Sequence, residues 1–202
     1  MTFRIPRNYF DAKFFSSGVY KDYRDYRDDV LAWVKPTAQK INTVIRNLEN
    51  PKILDVGCAQ GFLIAELQNK YGFVVRGLEY SKYAVKSADR SVKKKIISGD
   101  ILNSRHFPKN SFEVVICFDV FEYLNGAEMK KAAKNLALWS KKYIFFNTLY
   151  KHSKQSSQKI NPDPHRLSPL RQPDYVQMFK NNSLELIKKF TSGGEILVFE
   201  KK

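Results

Sequence analysis

An apolar strand that ends on an acidic residue and runs into a glycine loop constrains the fold more than any other feature. The segment Lys52–Val56 suits a buried strand and holds Asp55 near its end. Gly57 and Gly61 bracket a loop of small residues, and a helical pattern begins at Phe62. Glycine permits a tight turn and close ligand approach, and the amides at the helix start favour an anionic group. The arrangement predicts a cradle for a nucleotide-like cofactor.

Apolar strands and amphipathic helices then alternate up to residue 147. Predicted strands are Lys52–Val56, Phe73–Leu78, Lys95–Ser98, Phe112–Phe118 and Tyr143–Asn147, and predicted helices are Phe62–Tyr71, Ser81–Asp89 and Gly126–Ser140. This rhythm predicts an α/β fold with a parallel sheet, helices on both faces and the site at the carboxyl ends of the strands. After a predicted helix at Pro173–Asn181, Leu184–Phe190 and Glu195–Glu200 predict a closing hairpin.

The length of 202 residues predicts a single domain with three parts. Residues 1–50 form a leader with a helix predicted at Tyr20–Asn50, which Pro36 would kink or divide; residues 51–147 form the core; residues 148–202 form a loop and the hairpin. No apolar run approaches the roughly 18 residues of a membrane span, and nothing suggests secretion. Cys58 and Cys117 are interpreted as small apolar residues in a reducing compartment, which favours the cytosol. No metal-binding pattern is visible.

Three further acidic residues fall at predicted strand ends: Glu79, Asp100 and Asp119. Taken with Asp55 and the glycine loop, they resemble the cofactor-binding core of class I S-adenosylmethionine-dependent methyltransferases, particularly the small bacterial type 11 and 12 domains. The resemblance implies a three-layer Rossmann-like fold with a mostly parallel seven-stranded sheet and a C-terminal antiparallel hairpin. It also implies S-adenosylmethionine as cofactor and S-adenosylhomocysteine as product. Glu79 alone would equally suit a dinucleotide-binding protein.

The resemblance carries roles to individual positions. Asp55 would take the amino group of the cofactor, Glu79 its ribose hydroxyls, and Asp100 its adenine amino group, while the backbone of Ile101 would meet an adenine ring nitrogen. Phe118 and its neighbours would line the sulfonium side. The candidate cofactor residues are Tyr20, Asp55, Gly57, Cys58, Ala59, Gly61, Glu79, Tyr80, Asp100, Ile101, Phe118, Asp119 and Val120. Two positions depart from the family pattern, since Ala59 replaces a usual glycine and Tyr123 a common histidine.

The segment after the fifth strand supplies the candidates for acceptor chemistry. His165 and Asp163 could form a general base with an orienting carboxylate, as in many small methyltransferases with an Asp-x-His element there. The alternative interpretation is a surface turn stiffened by proline. His106 and His152 are interpreted as a turn residue and a solvated residue.

The leader is rich in aromatic residues from Tyr9 to Phe15 and again at Tyr20, Tyr23 and Tyr26. It resembles the tyrosine-rich leaders that fold over the cofactor as a lid in bacterial methyltransferases acting on small molecules. Two alternatives remain open: stacking of single-stranded bases, and packing of an amphipathic helix on the sheet.

The formal net charge is +15, from 35 basic and 20 acidic residues. Such a field attracts anions, although a lysine-rich surface without a partner explains it equally well. Basic residues between positions 151 and 171 favour an anionic small-molecule or glycan acceptor. The alternatives are an RNA methyltransferase and a non-catalytic partner subunit that binds S-adenosylmethionine. The oligomeric state is left open.

Overall fold

The computed structural model describes residues 5–16, 26–151, 165–167, 170–191 and 195–202. The helices are α1 (Ala12–Ser16), α2 (Tyr26–Ile45), α3 (Phe62–Tyr71), α4 (Lys82–Lys86), α5 (Gly126–Trp139) and α6 (Gln172–Lys180). The strands are β1 (Lys52–Val56), β2 (Val74–Glu79), β3 (Ile96–Ser98), β4 (Phe112–Phe118), β5 (Ser140–Asn147), β6 (Leu184–Phe190) and β7 (Ile196–Lys201).

The seven strands form one sheet in the order β3-β2-β1-β4-β5-β7-β6. Strands β1 to β5 are parallel, and β7 is antiparallel to both β5 and β6. Successive strands are added on one side of β1 up to β3 and on its other side from β4 onward, so the strand order reverses between β1 and β4. There Asp55 is paired with Ile116. Ligands of open α/β sheets bind at the carboxyl ends of the strands beside such a switch point. The predicted fold and its closing hairpin are confirmed.

Two hydrophobic clusters cover the two faces of the sheet. One packs α2 and α3 on the sheet through Ile41 and Ile64, and the other packs α5 and α6 through Trp139 and Phe179. All four of these side chains are fully buried. The sheet is therefore covered on both sides, as the near-continuous apolar runs of β1 and β4 require.

Two predicted helices differ from the observed ones. Helix α4 ends at Lys86 and not near Asp89, because the chain turns back so that the Asp89 amide donates to the carbonyl of Gln60, 2.9 Å away. Its predicted cap is present, since the amide of Ala84 donates to the Ser81 hydroxyl. Helix α2 continues through Pro36 and ends at Ile45. The predicted start of this helix at Tyr20 lies outside the described residues.

The loop before α3 is closely packed around Gly61. The φ of Gly61 is +81°, and an added Cβ would lie 2.7 Å from Cδ1 of Ile96 and 3.0 Å from Cγ2 of Val92. We therefore expect Gly61→Ala to lower the free energy of unfolding by about 1–3 kcal/mol through overpacking, beyond the backbone cost. Chemical denaturation monitored by circular dichroism measures the difference.

Gly72→Ala is the matched control for that substitution. Gly72 has a similar φ of +70°, but an added Cβ would meet no atom within 4 Å. The loss of unfolding free energy in Gly72→Ala should then come only from placing alanine in the left-handed conformation, about 1 kcal/mol. Equal losses in the two variants would show that side-chain space around Gly61 is not limiting.

Candidate active site

The glycine loop turns sharply at the carboxyl end of β1. Gly57 has a φ of +79°, and an added Cβ would lie only 2.3 Å from Cγ2 of Val120. Its amide donates to the carbonyl of Leu78 at 2.8 Å, and the amide of Gly61 donates to the carbonyl of Cys58 at 2.8 Å. Ala59 has a φ of +48°, in the region that glycine adopts more easily. The alanine is thus accommodated in a backbone shape suited to the family's glycine.

Glu79 ties this loop to the end of β2. Its carboxylate accepts hydrogen bonds from the amide of Ala59 at 2.8 Å and from the amide of Ser81 at 2.6 Å. The side chain is buried, and burial raises its pKa while the amide hydrogen bonds and Arg7 oppose that rise. A carboxylate has about four lone-pair sites, so Glu79 keeps acceptor capacity for ligand hydroxyls.

A cavity opens where β1, β2 and β4 end. The cavity wall includes most of the predicted cofactor residues: Asp55, Gly57, Cys58, Ala59, Glu79, Tyr80, Asp100, Ile101, Phe118, Asp119 and Val120. Gly61 is absent from this wall and instead packs against the α3 side of the core. Tyr20 lies outside the described residues. The parallel register accounts for the convergence, because it aligns the carboxyl ends of neighbouring strands.

Asp55 is a buried carboxyl group in this wall. Its side chain is 5% exposed, and burial together with the nearby Glu79 raises its pKa to about 8. Two buried carboxylates close to each other disfavour ionisation unless a cation joins them. The pair therefore suits a ligand that brings a positive charge and hydroxyl groups.

Asp100 and Ile101 form the far end of the wall beyond β3. The amide of Asp100 donates to Nε2 of His106 at 3.1 Å, and the carbonyl of Ile101 accepts from the side chain of Asn135 at 2.7 Å. An added Cβ on Gly99 would lie 2.7 Å from the His106 ring. His106 thus supports the loop that carries Asp100, a role that sequence reasoning missed because the residue lies in an irregular turn.

The described part of the leader lies against the same cavity. Nε of Arg7 donates to the carbonyl of Tyr80 at 2.9 Å, and the hydroxyl of Ser81 donates to the carbonyl of Phe10. Phe10 and Phe14 line the cavity beside Tyr123. The aromatic composition of the leader indicated this position, whereas nothing in the sequence pattern indicated Arg7. That the leader acts as a lid stays a prediction.

His165 does not line the cavity. Its ring instead packs on Tyr9, with 4.0 Å between the ring centroids. Tyr9 in turn contacts Phe10 and Phe14, at centroid distances of 5.1 and 5.4 Å. The aromatic rings of the leader therefore lie between His165 and the cavity. Asp163 lies outside the described residues.

Sequence reasoning also missed an ion pair below the cavity. Arg166 lies with its Nε 2.9 Å from Oε1 of Glu122, whose side chain is 2% exposed. The carbonyl of Glu122 accepts from the amide of Leu167 at 2.8 Å, and its carboxylate accepts from the amide of Leu149 at 3.2 Å. Burial, with the nearby Asp119, raises the pKa of Glu122 to about 7, and Arg166 opposes that rise. These contacts fix residues 165–167 and the end of β5 to the turn after β4.

Neither a metal site nor a membrane span is found among the described residues. No group of three or more potential ligands could hold a metal ion, and no described helix is long and apolar enough to cross a membrane. Cys58 and Cys117 are buried and form no disulfide, and burial raises the pKa of both thiols.

Comparison with known proteins identifies the kind of site. Residues 54–142 match the family described as "Methyltransferase domain". The chain is 23% identical over 167 residues to phosphoethanolamine N-methyltransferase 3 of Arabidopsis thaliana, covering 78% of this chain but only 30% of that protein. It thus spans about a third of that relative.

Solved structures show the same fold over nearly the whole chain. Magnesium protoporphyrin IX methyltransferase from Synechocystis PCC 6803 with bound S-adenosylhomocysteine superposes with a TM-score of 0.74 at 16% identity, covering 97% of this chain and 98% of that one. The same enzyme with bound S-adenosylmethionine gives a TM-score of 0.66 at 18% identity, covering 97% and 95%.

The match over residues 54–142 and the shared fold show that this chain is similar to the class I S-adenosylmethionine-dependent methyltransferases. That similarity implies S-adenosylmethionine as the cofactor. The residues present fit that molecule, because the buried Asp55 and Glu79 suit its ammonium group and ribose hydroxyls, and Gly57 leaves no room for a side chain beside Val120. When bound, the cofactor supplies a methyl group activated by a sulfonium.

Proposed function

We propose that this protein transfers a methyl group from S-adenosylmethionine to a small-molecule or glycan acceptor. The observation that carries the proposal is the cavity, which joins the carboxylates of Asp55, Glu79 and Asp100 to an apolar wall. Methyl transfer is an in-line displacement that depends on alignment and on exclusion of water. Phe10 and Phe14 of the leader line the cavity and exclude part of the water from it.

The basic residues of the segment after β5 support a small-molecule acceptor that carries an anionic group away from the reacting atom. Lys151, Arg166 and Arg171 belong to the segment after β5, while Lys154 and Lys159 lie outside the described residues. The names of two similar proteins give small acceptors, phosphoethanolamine and magnesium protoporphyrin IX. The cytosol stays the predicted location.

RNA is the second candidate acceptor, supported by the net charge of +15. A large positive field gives affinity for nucleic acid without sequence recognition. The third candidate, a non-catalytic subunit that binds the cofactor, differs from the enzyme in turnover alone, because the three converging carboxylates at strand ends suit cofactor binding in both.

Transfer of a tritiated methyl group from S-adenosylmethionine into a cell extract that contains RNA distinguishes these candidates. We expect label in the small-molecule or glycan fraction. Label that enters RNA and disappears after nuclease treatment would establish RNA as the acceptor. Binding of the cofactor with no transfer to any fraction would support the non-catalytic subunit.

The acid–base role of His165 with Asp163 stays a prediction, and His165→Ala tests it. A base role predicts a lower kcat, with cofactor affinity unchanged, because only the protonation step is removed. A packing role against Tyr9 predicts a changed KM for the acceptor with the pH profile of kcat retained. Full activity in the variant would remove His165 from the site.

A further inference from the structure

The loop after β3 shapes the end of the cavity where the adenine ring of the cofactor is expected. Its residues Gly99, Asp100 and Ile101 line the cavity wall. The chain then makes a single turn of 3-10 helix, Ser104–His106, and residues 99–107 are called the adenine loop below. The geometry of this loop therefore decides how well an adenine ring is held.

Hydrogen bonds on both sides of Ile101 fix the orientation of its amide. The amide of Asp100 donates to Nε2 of His106 at 3.1 Å, and the amide of Leu102 donates to the Asp100 carboxylate at 2.9 Å. The carbonyl of Asp100 accepts from the amide of Asn103 at 2.9 Å. Because a trans peptide is planar, the amide of Ile101 points opposite to that carbonyl and away from the turn. The imidazole of His106 thus helps to orient the amide that would meet adenine.

The hydrogen bond from Asp100 fixes which nitrogen of His106 carries the proton. A backbone amide can only donate, so Nε2 must accept with its lone pair. The ring is then neutral, and its single proton sits on Nδ1. A second proton on Nε2 would bring two donors together at 3.1 Å, so the protonated ring cannot keep this contact.

Packing holds the ring against the backbone of Gly99. An added Cβ on Gly99 would lie 2.7 Å from both Cε1 and Nε2 of His106. Phe107 packs edge-on against Trp139 with 5.6 Å between ring centroids, and the indole of Trp139 donates to the carbonyl of Ser104 at 3.2 Å. The turn that carries His106 is therefore anchored to α5 independently of the hydrogen bond from Asp100.

Burial and Arg7 both favour the neutral form of the His106 ring. Burial lowers the pKa of His106 from its ordinary value of 6.5, and the positive charge of Arg7 lowers it further. The guanidinium of Arg7 is positioned by its hydrogen bond to the Ser98 hydroxyl, 3.1 Å away. The other charged side chains on elements next to the adenine loop are Glu79 of β2, Asp100 and Arg105 of the loop itself, and Lys131 and Lys134 of α5.

We propose that His106 is a positioning residue for the adenine ring of the cofactor: its neutral form holds the adenine loop in the shape that binds, and protonation of Nε2 releases that loop. This inference rests on the proposed function, because it requires S-adenosylmethionine to occupy the cavity with its adenine at Asp100 and Ile101. Since only the neutral ring accepts from Asp100, affinity for adenine falls as the pH drops below the pKa of His106.

Binding of methylthioadenosine at two pH values tests the inference. This probe carries the adenine and ribose of the cofactor without its amino group, so it does not pair with Asp55. Between about pH 7.5 and about pH 5, we expect the Kd of the wild type to rise at least about threefold more than that of His106→Gln. Glutamine offers a neutral acceptor oxygen, and comparison of the two proteins cancels the titration of the carboxylates that they share. The same pH dependence in both proteins would overturn the inference.

Two further variants separate the hydrogen bond from the stability of the turn. His106→Leu cannot accept, so we expect it to weaken binding of the probe about fivefold at about pH 7.5, while His106→Gln stays within about twofold of the wild type. Asn103→Ala removes a cap, in which the Asn103 side chain accepts from the amide of Arg105 at 3.1 Å, but it keeps His106. This control should show the pH dependence of the wild type. Loss of that dependence in Asn103→Ala, or wild-type affinity in His106→Leu, would contradict the inference.

The tautomer of the ring is a measurement that does not depend on binding. Heteronuclear NMR of the histidine rings distinguishes a protonated nitrogen from a bare one, and the signal that is missing in His106→Gln identifies the ring. At about pH 7.5 we expect Nδ1 of His106 to be protonated and Nε2 to be bare. A proton on Nε2 of this ring would overturn the inference.

Titration of the wild type with S-adenosylhomocysteine at about pH 7.5 separates this inference from the proposed function. Failure of S-adenosylhomocysteine to bind would refute the proposed function itself. Normal binding of S-adenosylhomocysteine, together with identical pH dependence in the wild type and His106→Gln, would refute only the role of His106 and leave methyl transfer standing.

Discussion

Replacing Glu79 with alanine is expected to weaken S-adenosylmethionine binding by about 1–3 kcal/mol, which corresponds to a roughly 5- to 150-fold rise in Kd. The carboxylate has two functions that the variant loses together. It offers free lone pairs to the ribose hydroxyls, and it accepts from the amides of Ala59 and Ser81, which fixes the glycine loop against β2. Isothermal titration calorimetry of the two proteins measures the difference.

Two further variants show which function dominates. Glu79→Gln keeps one acceptor oxygen, so we expect a smaller loss if loop geometry is the main contribution. Glu113→Gln alters a glutamate at the opposite end of the sheet, where Glu113 accepts from the amide of Lys52 at 2.8 Å, and it should leave cofactor affinity unchanged. Wild-type affinity in Glu79→Ala would remove Glu79 from the cofactor site.

The strand-end carboxylates could be predicted from the sequence because two simple rules place them. Apolar runs of the right length predict buried strands, and parallel strands bring their carboxyl ends to one edge. Asp55, Glu79 and Asp100 each follow or end such a run, so their convergence follows from register without any knowledge of side-chain contacts. The closing hairpin is predictable from its two strand-like runs, Leu184–Phe190 and Glu195–Glu200.

The leader and the segment after β5 could not be placed in that way. Arg7 reaches Tyr80, and Phe10 reaches Ser81, through contacts more than seventy residues apart in sequence. Neither has a periodic neighbourhood that fixes where it packs. The pair of Glu122 and Arg166 is similar, because a buried carboxylate and its cation are recognisable only once both are close in space. The spacing of apolar residues in the sequence indicates helices and strands, whereas these contacts depend on tertiary packing.

The position of His165 outside the cavity wall could not be predicted either, because it also depends on tertiary packing. An Asp-x-His element predicts a base when it follows the fifth strand, but the ring position depends on how the leader packs. Tyr9 occupies the space next to His165, and its ring contacts the leader residues that line the cavity. The chemical type of the residue was readable from the sequence, and its distance from the reacting atoms was not.

Binding of S-adenosylmethionine at pH 7 is expected to release nearly one proton from Asp55. Without ligand this carboxyl is mostly protonated at pH 7, because burial and Glu79 raise its pKa to about 8. The amino group of the cofactor is a cation at that pH, since an α-amino group titrates near 7.7–8.0. Pairing favours the ionised carboxylate, so its proton leaves. Calorimetry in phosphate and in Tris, which differ in ionisation enthalpy, counts the protons released.

Asp55→Asn should abolish that proton release and weaken cofactor binding, while it makes the unliganded protein more stable at high pH. The sign follows from linkage: the carboxyl of the unfolded chain loses its proton near the ordinary aspartate pKa of 3.8, whereas the folded one keeps it until about pH 8. The contribution of Asp55 to the free energy of unfolding therefore falls as pH rises from about 4 to about 8. We expect the Tm of Asp55→Asn to exceed that of the wild type at about pH 8.5, with a smaller difference at about pH 5. A difference of the same size at both pH values would show that Asp55 ionises normally in the folded protein, and proton release on binding would then be absent as well.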